Sequence, residues 1–547
     1  MKGAEVAAEV LKREGVQTLY GYPRNAIIEA AGAANIRPLI TRQERTGIHM
    51  ADALSRLTSR RSIGVFAMQQ GPGTENAFGG IAQAYAESVP IVVLPAGFPR
   101  RQAHLPPNFS ASQHMRGISK WIETVSFVDQ IPEALRRAFT QARNGRPRPC
   151  IVEIPGDVLA EEFTGTLDYR PVIATRSAPD PAEIPKVAQA LIDAKRLVLY
   201  AGQAVHYARA WKSLRELAEL LAAPVTTTLA GKSAFPENHP LALGCGGATF
   251  PKQAWHFVEN AELIFGVGVS FTATPFGLAM PKGKRYIHAT WDAAEINKAV
   301  PTERALVGDM DLVLEALVAE VKERLRSKPR NAGAVAAEIA SVKGAWLAEW
   351  MPLLTSDEKP ISPYRVIREL ALAVKGEDVI VTHDSGSPRN QITPFWESVE
   401  PLSYIGWGKS TQLGYGFGLA MGAKLACPEK LCINFWGDAA IGHTGMDFET
   451  CVRQGIPILS ILVNNFSMAA ELGVMPKSTE TFRSTDISGN YAEFARAMGG
   501  YGERIAEPGE IAAALERGIR KTREGTPVIL EFLTRKETRG SVFGRTS

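Results

Sequence analysis

Over the first 165 residues, stretches with helical spacing of apolar positions alternate with short, nearly unbroken apolar runs. The runs are Thr18-Leu19-Tyr20-Gly21, Ile63-Gly64-Val65-Phe66, Ile91-Val92-Val93-Leu94 and Ile151-Val152-Glu153-Ile154. Such runs, separated by helical stretches, predict parallel strands covered on both faces. The opening MKGAEVAAEVLKREGV spaces Ala, Val and Leu among charges, as an amphipathic helix does. A Pro-containing stretch, residues 169–185, breaks the alternation. It resumes with Leu197-Val198-Leu199-Tyr200, Pro224-Val225-Thr226-Thr227 and Leu263-Ile264-Phe265-Gly266. After a charged, largely helical segment at 322–359, a third series follows at Val379-Ile380-Val381, Leu431-Cys432-Ile433-Asn434-Phe435, 458–463 and Val528-Ile529-Leu530-Glu531-Phe532. The prediction is an α/β chain of three doubly wound parallel-sheet domains, at 1–168, 183–321 and 360–547, with 322–359 as the crossing linker.

Composition narrows the function classes. A chain of 547 residues is too long for one core, and 45% hydrophobic with 22% charged residues is a globular rather than a disordered mixture. The net charge of +4 is small for this size and no long Lys/Arg run occurs, which argues against nucleic acid or an anionic membrane as partner. Cys150, Cys245, Cys427, Cys432 and Cys451 form no CxxC pair and no metal-type cluster with histidine, as expected of reduced thiols in a cytoplasmic protein. The amino terminus lacks the apolar core of a secretory signal, and no apolar stretch reaches the length of a membrane span.

The candidate chemistry sits where strands end. Gly437-Asp438-Ala439 follows the apolar run 431–435, and Asn464-Asn465 follows the run 458–463, with Asn465 27 residues after Asp438. A carboxylate and an amide oxygen then meet at the carboxyl edge of a parallel sheet, where open α/β sheets bind ligands. Hard oxygen donors of this kind suit Mg²⁺, especially beside phosphates. The alternative is an unrelated strand-end Asp with a turn-forming Asn pair. In the first domain, Thr41-Arg42-Gln43-Glu44 leads into Gly47-Ile48-His49-Met50-Ala51-Asp52-Ala53, and Gly71-Pro72-Gly73-Thr74-Glu75-Asn76 follows the second apolar run. A third segment reads Gly408-Lys409-Ser410-Thr411-Gln412-Leu413-Gly414-Tyr415-Gly416.

Together these segments resemble the thiamine-diphosphate (ThDP) enzymes, whose metal motif is GDG followed by about two dozen residues and NN; Ala439 stands at the usual third Gly. The resemblance implies that Asp438, Asn465 and the carbonyl of Ser467 hold Mg²⁺ against the cofactor diphosphate. It implies that Gly437, Ala439, Ala440, Ser387 and Met468 border the cofactor. Glu44 would hydrogen-bond N1′ of the aminopyrimidine, with Gly71, Pro72 and Asn76 alongside; otherwise Glu44 is an exposed helix cap. Leu413, after Gln412, would wedge between the two cofactor rings, its alternative being an ordinary core leucine. In this family the glutamate and the metal motif come from different subunits, so a homodimer, or a tetramer of two dimers, with sites across the dimer interface is implied.

The resemblance covers essentially the whole chain and points, within the family, to the acetolactate (acetohydroxyacid) synthase large subunits. The supporting phrases include Gly21-Tyr22-Pro23, Val225-Thr226-Thr227-Thr228-Leu229 and Asp292-Ala293-Ala294-Glu295-Ile296. Departures matter. The synthases continue Gly-Gly where this chain has Arg24-Asn25, which puts a cation and an amide near the expected substrate side of the thiazolium; Arg24 would clamp a substrate carboxylate, and an unpartnered surface arginine is the alternative. The synthases' flavin-contacting Asp-Asp-Arg is absent from Gly268-Val269-Ser270-Phe271-Thr272-Ala273-Thr274, so FAD is not expected. Glu471, six residues after Asn465, and His104 sit where the pyruvate-decarboxylase branch carries proton-handling residues, and Gln113 matches a glutamine near the cofactor. For His104 a structural loop role is the alternative, and for Gln113 a surface amide. The implied activity is decarboxylation of a 2-oxo acid followed by ligation to a second carbonyl. The alternatives are simple 2-oxo acid decarboxylation, a lyase or decarboxylase of acyl-CoA substrates, and a non-catalytic cofactor-binding paralogue.

Overall fold

The computed structural model describes residues 1–103 and 105–544. Three six-stranded sheets, all parallel, follow one another along the chain. The first contains β1 (Thr18–Gly21), β2 (Arg37–Ile40), β3 (Gly64–Met68), β4 (Ile91–Gly97), β5 (Trp121–Thr124) and β6 (Cys150–Pro155), in the order β2-β1-β3-β4-β6-β5. The second contains β7 (Leu197–Ala201), β8 (Val225–Thr228), β9 (Ala242–Gly246), β10 (Leu263–Val267), β11 (Arg285–Thr290) and β12 (Arg304–Val307), in the order β12-β11-β10-β7-β8-β9. The third contains β13 (Val379–His383), β14 (Tyr404–Ile405), β15 (Leu431–Gly437), β16 (Leu459–Asn464), β17 (Tyr501–Ile505) and β18 (Val528–Leu533), in the order β14-β13-β15-β16-β18-β17. The fold class is therefore the α/β arrangement of three doubly wound parallel sheets.

The central strands are buried along their length, β3, β4, β7, β10, β15 and β16 without exception, which is why they read as apolar runs rather than alternating ones. Helix Gly333–Leu354 lies between the second and third sheets, and its Trp346 and Trp350 pack on Phe395 and Tyr364. Among the described residues no helix is long and apolar enough to cross a membrane.

The first and third sheets share a core. Helix Glu44–Leu57 lies directly on helix Tyr415–Ala426, and glycines set the distance. A Cβ on Gly418 would sit 2.5 Å from the His49 Cβ, and one on Gly422 would sit 2.5 Å from the Met50 carbonyl oxygen. Glycine therefore permits a helix approach that any side chain would prevent. Across this contact the buried Asp52–Arg56 ion pair (2.6 Å) reaches the third sheet, where Arg56 donates to the Gly406 carbonyl (3.0 Å) and to the Tyr415 hydroxyl (3.0 Å). The helix that begins at Glu44 is thus fixed to the third sheet by both packing and buried hydrogen bonds.

Candidate active site

In the third sheet, the strand order changes direction between β13 and β15, and the loops leaving their carboxyl ends diverge there. That divergence opens a crevice, the usual ligand position in such sheets. A cavity of ≈ 210 Å³ occupies it. Ser387 after β13, Gly437, Asp438, Ala439 and Ala440 after β15, and Asn465, Ser467 and Met468 after β16 all line it, and Leu413 stands on its wall. Residues far apart in the chain that the motif groups together are thus neighbours in space.

Asp438 opens helix Asp438–Thr444, with Gly437 as the preceding cap. It is 4% exposed; its Oδ1 accepts the Ala439 N–H (3.0 Å) and its Oδ2 accepts the Ser467 N–H (3.1 Å). Burial pushes its carboxyl up to about 6, so the ionised form is costly unless a cation shares the site. The Asn465 Oδ1 accepts the same Ser467 N–H (2.9 Å), which draws carboxylate, amide oxygen and the Ser467 backbone into one corner. Phe466 holds φ 57 between them, a left-handed turn uncommon for a non-glycine residue, and its N–H is capped by Asn464 Oδ1 (3.0 Å). Asn464 in turn donates to Glu531 (2.7 Å), so the first asparagine of the pair holds the turn and the second faces the cavity. Among the described residues no cluster of three His, Cys, Asp or Glu side chains could hold a metal. One carboxylate with neutral oxygens instead suits a Mg²⁺ ion whose other ligands are phosphate and water, and the residues present fit that group.

Glu44 occupies the first helical position after Gln43 and is 3% exposed. Burial, the largest cause, raises its carboxyl above the usual range; hydrogen bonding by its own backbone and by Asn76 opposes this, and the nearby Asp447 charge adds to it. Gly71, at φ 64, turns the chain into helix Pro72–Ala86, and a Cβ on Gly73 would lie 3.4 Å from the Glu44 Oε1. Glu44, Gly71, Pro72 and Asn76 do not line the crevice cavity, so within one chain the Glu44 environment and the crevice are separate places. Gln412 also lies off the cavity: its side chain meets the His49 Nε2 (3.2 Å) and its N–H donates to Gln83 (3.1 Å).

The remaining predicted residues divide by environment. Glu471 lies on a one-turn helix, Ala469–Glu471, at the rim of the crevice cavity. Arg24 is exposed, with φ 72. Asn25 is a correction to the expected substrate contact. Its amide donates to the Met68 and Leu94 carbonyls (both 2.9 Å) and its Oδ1 caps helix Ala26–Ala33 at the Ile27 N–H (3.0 Å), so its polar atoms are committed to the scaffold. Gln113 is exposed on helix Ala111–His114, away from the crevice cavity. His104 lies outside the described residues.

Sequence reasoning missed Asp384, immediately after β13. It is fully buried, and its two oxygens accept the N–H groups of Ser385 (2.8 Å), Gly414 (2.9 Å) and Gly416 (3.1 Å), fixing the turn that follows Leu413. Its signal was available, as an Asp-Ser-Gly at the end of an apolar run. A further cavity of ≈ 340 Å³ lies at the carboxyl edge of the second sheet, bordered by Gly268, Phe271 and Lys409.

Comparison with known proteins agrees with this geometry. Residues 1–121 match the description "Thiamine pyrophosphate enzyme, N-terminal TPP binding domain", residues 184–317 the central domain, and residues 384–532 the "C-terminal TPP binding domain" of the same enzymes. The chain is 30% identical to a probable acetolactate synthase large subunit of Methanocaldococcus jannaschii, over 95% of this chain and 90% of that protein. It is 29% identical to the acetolactate synthase isozyme 3 large subunit of Escherichia coli, over 97% and 94%. It is 28% identical to the mitochondrial acetolactate synthase catalytic subunit of Saccharomyces cerevisiae, over 97% and 80%.

Proposed function

The chain belongs to the thiamine pyrophosphate enzymes, and from that premise we propose that it is a Mg²⁺-dependent carboligase of the acetolactate-synthase type, which decarboxylates a 2-oxo acid and joins the remaining acyl unit to a second carbonyl. The observation that carries this reading is the crevice itself. The nearly buried Asp438 carboxylate, the Asn465–Ser467 corner and Leu413 share one cavity at the switch point of the third sheet. Bound thiamine diphosphate supplies the electron sink on which cleavage of a carbon–carbon bond beside a carbonyl depends.

The protein's own residues do the rest. Asp438 through its carboxylate, Asn465 through its amide oxygen and Ser467 through its carbonyl would hold Mg²⁺, which would neutralise the charge of the bound diphosphate. Leu413, on the cavity wall, would orient bound thiamine diphosphate, so that orientation does catalytic work. Glu44 would hold and exchange a proton with the aminopyrimidine of the bound cofactor. Its burial favours that role, because a desolvated carboxyl holds a proton at a pH where an exposed one has lost it. Arg24 meets the carboxylate of the incoming 2-oxo acid. Glu44 stands apart from the cavity that Asp438 lines in one chain, and this supports a symmetric homodimer in which each site combines Glu44 of one copy with Asp438 of the other.

A second reading, decarboxylation with release of an aldehyde, is favoured by one observation. Glu471 lines the same cavity as Asp438, where it can deliver a proton to the product. Purified protein supplied with ThDP, Mg²⁺ and pyruvate decides between them. Acetolactate with CO₂ is the expected result. Acetaldehyde with CO₂ selects the second reading, and no CO₂ from pyruvate or larger 2-oxo acids overturns both.

A further inference from the structure

The loop 406–414 that presents Leu413 is held from two sides, and only one of them belongs to its own sheet. On that side Asp384 fixes Gly414 and Gly416. On the other side the grip comes from the first sheet's helix Pro72–Ala86. Glu87 caps that helix and is fully buried, and one of its carboxylate oxygens accepts three consecutive N–H groups, from Gly408 (2.9 Å), Lys409 (2.6 Å) and Ser410 (3.3 Å). Consecutive backbone donors of this kind form a concave anion nest. One turn earlier, Gln83 donates to the Ser410 carbonyl (2.9 Å) and accepts the Gln412 N–H (3.1 Å). The other Glu87 oxygen is buried without a hydrogen-bond partner. Arg56 and Lys409 face the carboxylate with positive charge and Asp52 with negative charge. None of the roles assigned above uses Glu87. A buried charge whose hydrogen bonds go to one short turn and to Gln83 is a costly way to hold an ordinary loop.

We infer that Glu87 is a positioning residue for the reaction: its carboxylate fixes the backbone turn 408–410 and so sets the height at which Leu413 stands in the crevice, with Gln83 aligning Gln412. This rests on the reading of Leu413 as the residue between the cofactor rings. The latch crosses from the first sheet to the third within one chain, so it ties the wedge to the same helix layer that carries Glu44.

Two readouts test it, neither of which needs a known substrate. Hydrogen–deuterium exchange of the 404–416 backbone is followed in cofactor-free protein, and deuterium exchange at C2 of bound ThDP is followed in the Mg²⁺–ThDP complex. Glu87→Gln, Glu87→Ala, Gln83→Ala and Leu413→Ala are compared with the unaltered protein. Loop amides in the Glu87 variants should exchange at least about tenfold faster, the signature of a locally opened segment. C2 exchange should slow by roughly 10- to 100-fold, the scale of a misplaced orienting group, with Gln milder than Ala because it keeps an acceptor oxygen. A purely structural role would lower the unfolding temperature and leave C2 exchange in the folded protein unchanged, and that result overturns the inference. If Glu87→Ala does not fold, Glu87→Gln and Gln83→Ala decide by the same criteria. Slow C2 exchange in Leu413→Ala with an unaltered rate in every Glu87 and Gln83 variant removes the latch alone. An unaltered rate in Leu413→Ala removes the wedge reading, and the latch with it.

Discussion

The first and third sheets have the same wiring, yet they offer opposite chemistry from equivalent places. Counting strands within each sheet, both run 2-1-3-4-6-5. After the second strand the first sheet uses only residues 41–43 before its helix starts, which puts Glu44 at the helix end. The third sheet uses residues 406–414 at the same point and presents Leu413 from a loop. After the third strand the first sheet turns through Gly71 into Pro72, with no charge at the first helical position, whereas the third turns through Gly437 into Asp438. The two helices that follow the second strands are the pair that pack through Gly418 and Gly422. In the proposed mechanism, loop length and a single residue at each helix start divide the labour: Glu44, with its proton-handling role, sits on one sheet, and Asp438 and Leu413, with their cation-holding and wedge roles, sit on the other.

The strongest way to break this comparison is Glu44→Gln. If the first sheet supplies only proton handling, C2 exchange of bound ThDP should fall by roughly 10²- to 10⁴-fold while cofactor affinity stays near that of the unaltered protein. Burial raises the Glu44 carboxyl above its unfolded value, so the stability it contributes is present at low pH and is lost as pH rises through the folded value. Above that range the Glu44→Gln substitution removes a buried charge, and the cofactor-free variant should unfold at a temperature no lower than the unaltered protein. Weakened cofactor binding would show that the halves are not separable. Mixing Glu44→Gln with Asp438→Asn sharpens the point: random pairing of two copies restores about a quarter of the sites if each site spans the interface. No recovery would place both halves in one chain.

Asp438→Asn is the reciprocal test. It should leave the first half-site intact and weaken Mg²⁺-dependent ThDP binding by about 100-fold or more, the scale attached to removing one partner of a buried charge pair. Chelation of Mg²⁺ should release cofactor from the unaltered protein and have little further effect on the variant, with titration by tryptophan fluorescence as the measurement. Retained Mg²⁺ dependence in Asp438→Asn would move the cation elsewhere in the crevice.

How far the sequence disclosed this division follows from burial. Interior strands such as β3, β4, β10 and β15 are covered on both faces, and their apolar runs made them legible. Edge strands were not: β2 (Arg37–Ile40) and β5 (Trp121–Thr124) mix polar and apolar residues, and β14 (Tyr404–Ile405) is two residues long, because one side of each needs no partner. Asp438 and Asn465 stood out as polar residues at the ends of apolar runs, whereas Glu44 follows the edge strand β2 and was legible only through the resemblance of its segment to the ThDP enzymes. Asp384 also ends an apolar run, but Glu87 acts on backbone N–H groups more than three hundred residues away in the chain, and no local spacing marks such a role. Asn25 misled for a related reason: a polar residue after a strand reads as a substrate contact until its amide is found bonded to the Met68 and Leu94 carbonyls.

The smallest expected effect concerns Arg24, a departure beside the first sheet's carboxyl edge that adds a charge. Its φ of 72 is one that glycine adopts freely and other residues rarely hold, and the resembling synthases carry glycine there. An arginine kept in that conformation and exposed to solvent gains nothing from packing, so its guanidinium is the part with a use. Arg24→Gly separates the two contributions. Relief of the backbone should leave the unfolding temperature equal or higher, while loss of an exposed ion pair with a substrate carboxylate should raise KM by about two- to fivefold at unchanged kcat. High salt should shrink the difference between variant and unaltered protein, because an exposed pair is screened. An unchanged KM with a higher unfolding temperature would mean that Arg24 is only a strained surface residue, and that the first sheet contributes Glu44 and no substrate charge.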